Sequence, residues 1–97
     1  MNLKKFTFFK KLVTLPFIEK IIIFGSRARG DESERSDIDL AIFCPQATAR
    51  NWFDIIALIE DADTLLKIDC IRLDTLSPKN PIIQSIKNEG IILYERT

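Results

Sequence analysis

This 97-residue sequence predicts one α/β domain, a small mixed β-sheet with helices packed on it. Three observations carry that expectation. Short runs rich in β-branched and aromatic residues alternate with amphipathic stretches at helical spacing. The link between the first two strand-like runs is short, which makes them antiparallel neighbours, whereas the next link is long and helical and favours a crossover to a parallel third strand. No internal repeat, low-complexity tract or interior linker divides the chain, so residues 1–97 are read as a single domain.

The elements follow in order. Leu3, Phe6, Phe9, Leu12 and Val13 mark one face of a first helix over residues 3 to about 14, stopped by Pro16. FIEKIIIF, residues 17–24, is too short and too β-branched for a typical helix and reads as a buried strand ending at Gly25. DIDLAIF, residues 37–43, is a second strand. Its alternation puts Asp37, Asp39, Ala41 and Phe43 on one face and Ile38, Leu40 and Ile42 on the other. Thr48 suits the N-cap of a helix running through Trp52, Phe53, Ile55, Ile56 and Ile59 to about Asp61. LLKIDCIRL, residues 65–73, is a third strand. A short helix with Ser77 or Asn80 as cap, Pro81 early and Gly90 as its stop leads to a fourth strand, IILYE.

Composition removes several functions. Fourteen basic residues balance fourteen acidic ones, so the chain as a whole has no pull toward nucleic acid or anionic membrane, and direct nucleic-acid binding is not expected. The basic, amphipathic LKKFTFFKKL reads as a core-facing helix in preference to a membrane-surface one. No apolar run approaches the roughly 20 residues needed to span a bilayer, and no signal-peptide pattern opens the chain, which points to the cytoplasm. Cys44 and Cys70 lie in apolar runs without CxxC spacing and read as buried free thiols. Histidine is absent, which excludes Ser-His-Asp and Cys-His catalysis and leaves carboxylates and a metal as the tools for acid–base work.

One stretch stands apart: FGSRARGDESERSDIDL. With the strands as read, Gly25-Ser26 at the end of the first and Asp37 and Asp39 at the start of the second meet at one sheet edge. A parallel third strand brings Asp69 to the same edge. Side-by-side carboxylates resist ionisation together unless a cation lies between them, and their hard oxygens suit Mg²⁺. Gly25 permits a tight turn and close approach of backbone amides to a phosphate; Arg27 and Arg29 add positive charge for a triphosphate. Asp31-Glu32 stand where a P-loop requires Lys-Ser/Thr, so that motif is rejected. Taken singly, these residues would be a turn, strand-end charges and a solvated loop. Together they are harder to dismiss: average residue usage gives Gly-Ser, ten residues, Asp-x-Asp a chance occurrence on the order of one in a thousand for this length.

The pattern GS-x10-DxD, with GSRARGD and SDIDL, resembles the minimal nucleotidyltransferase domain of the polymerase-β-like superfamily, and KIDCI and NEGIILYE extend the resemblance over nearly the whole chain. The resemblance implies the palm-like nucleotidyltransferase fold. It implies Mg²⁺ held by Asp37, Asp39 and Asp69, with Asp69 also activating an acceptor hydroxyl, and a nucleoside triphosphate, ATP, whose phosphates are held at Gly25-Ser26. Minimal members of the family are similar to antitoxins paired with a small all-helical HEPN-family toxin, and the implied reaction is transfer of AMP from ATP to a tyrosine hydroxyl of that partner. Homo- or hetero-oligomers are compatible with this reading. Two alternatives stand beside it: an antitoxin that neutralises its partner by complex formation alone, and an adenylyltransferase of a small molecule such as an aminoglycoside. The lack of an acceptor-binding domain counts against the last.

Overall fold

A computed structural model describes residues 3–30 and 37–96. Four strands, β1 (Lys20–Phe24), β2 (Ile38–Phe43), β3 (Ile68–Arg72) and β4 (Ile91–Glu95), form one sheet in the order β3-β2-β1-β4. β1 is antiparallel to β2 and to β4, and β2 is parallel to β3, so the sheet is mixed as the connection lengths predict. The crossover from β2 to β3 contains α3 (Ala49–Glu60); the other helices are α1 (Thr7–Leu12), the single turn α2 (Ser26–Arg29) and α4 (Pro81–Glu89).

Strand alternation divides the apolar residues between two faces. Ile21, Ile23, Ile38, Leu40 and Ile42 join Phe8, Phe9 and Leu12 of α1 and Ile55 and Ile59 of α3 in the main core. Ile22 and Ala41 point the other way and meet Ile86 of α4 in a smaller cluster. Asp39 shares the α4 side, because it alternates with Leu40 and stands two residues before Ala41. The thinner side of the molecule thus carries the acidic residues.

Local signals explain most boundaries. Thr48 Oγ1 accepts from the Asn51 amide while the Asn51 side chain accepts from the Thr48 amide, a reciprocal capping box that starts α3. Asn80 caps α4, Pro81 occupies its first position, and Gly90 follows its end. Gly90 is required by packing: a Cβ there would lie 2.9 Å from Ile22 Cγ2.

Two expectations are corrected. The first helix is not continuous over 3–14: a 3-10 turn at Leu3–Lys5 is followed by α1, with extended backbone at Phe6. The cause is remote in sequence. Asp63 accepts from the Thr7 and Phe8 amides at 3.1 and 3.3 Å, capping a helix 55 residues earlier and starting it afresh at Thr7. α1 then ends at Leu12, ahead of Pro16. Strands also begin later than their apolar runs suggest, β1 at Lys20 and β3 at Ile68, and Asp37 lies just before β2. Ladder pairing sets these limits: β3 begins at Ile68 because its partner begins at Ile38.

Candidate active site

At the end of β1, Gly25 adopts φ 77°, a left-handed conformation open to glycine at little cost, and α2 starts at the next residue. The Gly25 carbonyl accepts from the Ala28 and Arg29 amides, both at 3.1 Å, closing that single turn. Phe24 is the register partner of Asp39, so the turn folds back over the start of β2. A Cβ built on Gly25 would overlap Asp39 Oδ2. The missing side chain is therefore what lets the Asp39 carboxylate lie against the turn.

In the parallel β2–β3 ladder, Asp39 is directly opposite Asp69, which puts both side chains on the α4 face of neighbouring strands. Asp37 is exposed, one residue ahead of β2. Burial chiefly, then the negative charges of Asp69 and Asp37, push the Asp39 carboxyl above its ordinary pKa, with Arg29 and Lys67 partly opposing them. Asp39 is thus near enough to each of the other two aspartates to feel its charge. Lys67 Nζ lies 3.6 Å from Asp69 Oδ1, an exposed pair at the rim.

Among the described residues, no group of three or more acidic, histidine or cysteine side chains is gathered into a metal cage. Mg²⁺ does not require one: it usually keeps several waters and takes one or two carboxylates together with substrate phosphates. Hard oxygen donors whose mutual repulsion a cation would relieve fit such an ion.

Arg29, a candidate for the phosphates, ends the α2 turn. Its Nη1 donates to both carboxylate oxygens of Glu89, each at 3.1 Å. Arg27 lies half-buried on the same turn. Asp31, Glu32, Glu34 and Arg35 lie outside the described residues. Glu89 escaped sequence reasoning, although a signal existed: β4 runs antiparallel to β1, so its start, and the end of α4 just before it, must lie at the same end of the sheet.

The opposite end of the sheet is arranged differently. Arg72 donates from Nε to Asp74 and from Nη2 to the Cys44 and Ala47 carbonyls at 3.1 and 2.9 Å, while Asp74 accepts from the Cys44 amide at 3.0 Å. The two thiols are free, as expected, with Cys44 buried and Cys70 partly so. Burial pushes Cys44 up to about 11 and Cys70 up to about 12, so neither is a nucleophile at neutral pH.

The mixed sheet flanked by helices is that of a nucleotidyltransferase, the class to which the family match assigns the chain. It belongs to the family described as polymerase beta, nucleotidyltransferase, whose profile matches residues 8–97. It is similar, at 28% identity over 75 residues covering 77% of this chain and 75% of the relative, to an inferred protein adenylyltransferase of Methanocaldococcus jannaschii. Its fold matches a chain in the crystal structure of a toxin-antitoxin with AMP-PNP, at TM-score 0.65 and 22% identity over 93% of this chain and 73% of that one. A second match is a chain in the structure of the tri-AMPylated Shewanella oneidensis HEPN toxin in complex with MNT antitoxin, at TM-score 0.59 and 18% identity, covering 90% and 69%.

Proposed function

We propose that this protein is a single minimal nucleotidyltransferase domain, working in the cytoplasm as an antitoxin that transfers AMP from ATP to a tyrosine hydroxyl of a HEPN-family partner. The observation that carries this reading is the in-register pair Asp39–Asp69 at the sheet end where the Gly25 turn lies against Asp39. The adenylyltransferase relative and the nucleotide-bound and AMPylated toxin-antitoxin neighbours support the substrate and partner. Among the described residues no helix is long and apolar enough to cross a membrane.

Each residue has a part. Gly25 lets the turn amides approach the triphosphate, and Ser26 adds a hydroxyl there. Asp37, Asp39 and Asp69 would hold Mg²⁺, which when bound neutralises phosphate charge and the charge growing on the leaving group. Arg27 and Arg29 add positive charge beside the phosphates. Asp69 accepts the proton of the acceptor hydroxyl as that oxygen bonds to the α-phosphorus; the bond from that phosphorus to the β-phosphate oxygen breaks, and pyrophosphate leaves with the electron pair.

The test is intact mass of a HEPN-family partner after incubation with this enzyme, ATP and Mg²⁺. Addition of AMP by the wild type, and none by Asp37→Ala/Asp39→Ala, is expected. Partner left unmodified by the wild type would overturn the reading, and a double mutant that still neutralised its partner would favour complex formation alone.

A further inference from the structure

The Arg29–Glu89 pair joins the nucleotide turn to the end of α4 and spans 60 residues of sequence. Its placement is unusual. Glu89 is the last residue of α4, where the helix dipole disfavours a carboxylate and favours a base, so its charge is held there against the local preference. Gly90, whose missing side chain lets the chain pass close to Ile22, fixes where α4 ends relative to β1, and β1 leads directly into the Gly25 turn. The Glu89 side chain is 24% exposed and Arg29 47%, so the acid is the anchored partner and the guanidinium the more accessible one. Arg29 also lies close enough to Asp39 to stabilise its charge.

We propose that Glu89 is a positioning residue: from the end of α4 it holds the Arg29 guanidinium at the nucleotide end of the sheet, ready for the triphosphate. This rests on the proposed use of ATP. It differs from a stabilising surface pair, which would contribute only to folding, and from a latch, in which Glu89 would compete with phosphate for Arg29.

Isothermal titration of the full chain with AMP-PNP and Mg²⁺, alongside thermal unfolding, separates the three. Glu89→Gln is expected to weaken nucleotide binding roughly fivefold, because the guanidinium must then be ordered at the moment of binding. Its melting temperature should change little. Arg29→Ala should weaken binding more, and adding Glu89→Gln to it should then have no further effect, because the acid acts only through the arginine. Tighter binding by Glu89→Gln, unchanged binding, or an additive loss in the double mutant would each overturn the positioning role and leave the proposed activity standing. No binding by the wild type would overturn both.

Discussion

The two ends of the sheet use charged residues in opposite ways. At the Arg72 end, a guanidinium and a carboxylate, 18% and 10% exposed, are matched to each other and to the backbone of the loop that leads into α3. At the Asp39 end, burial and the charges of Asp69 and Asp37 act on one carboxylate, partly opposed by Arg29, which also pairs with Glu89, and by Lys67 at the rim. A matched, half-buried network holds a loop; a carboxylate kept above its ordinary pKa by burial and like charge carries an electrostatic cost that a cation can relieve. The difference supports the proposed reading of the second end as the nucleotide site, on a fold that the first end helps to hold.

The largest expected effect comes from the carboxylates. Asp39→Asn should lower AMP transfer by about 10³-fold or more, in line with losing a group that stabilises transition-state charge. Stability should move the other way. Because the folded pKa of Asp39 lies above its unfolded value, ionisation costs more in the fold; the penalty is complete above the folded value and absent below the unfolded one. In chelator-treated protein, Asp39→Asn should therefore melt higher than wild type at neutral pH, and the gap should close as pH falls through the aspartate range. A gap that grew on acidification would contradict the origin assigned to the shift.

Next comes Gly25→Ala, which would place a side chain in a left-handed conformation and against the Asp39 carboxylate. It should cost about 1–2 kcal/mol of stability, read as a drop of several degrees in melting temperature, and about 100-fold in transfer, because the carboxylate must move. At the other end, Asp74→Ala should cost about 2 kcal/mol, roughly 10 °C, while transfer measured well below the melting point stays within about twofold. The smallest effect belongs to Arg50→Ala, which breaks an exposed Arg50–Asp54 pair on α3 and should change stability by less than about 0.5 kcal/mol.

Much of the fold was legible because its signals are local. Thr48 starts α3, Asn80-Pro81 starts α4, and IILYE is β4 over the residues read as such. The antiparallel-then-parallel order follows from connection length alone. What the sequence hid depends on distant partners. Nothing near Phe6 foretells a helix break whose cause is Asp63, and nothing near residue 65 says that a strand must wait for Ile38. At the site, spacing and alternation were enough to bring Asp39, Asp69 and the Gly25 turn together. The Arg29–Glu89 pair needed the position of β4 beside β1.

The most direct test of the central claim follows the phosphorus. Incubated with the HEPN-family partner and Mg²⁺, ATP labelled at the α-phosphate should leave covalent label on the partner, and ATP labelled at the γ-phosphate should leave none, its label leaving as pyrophosphate. Label retained from the γ-phosphate, or from neither position, would contradict it.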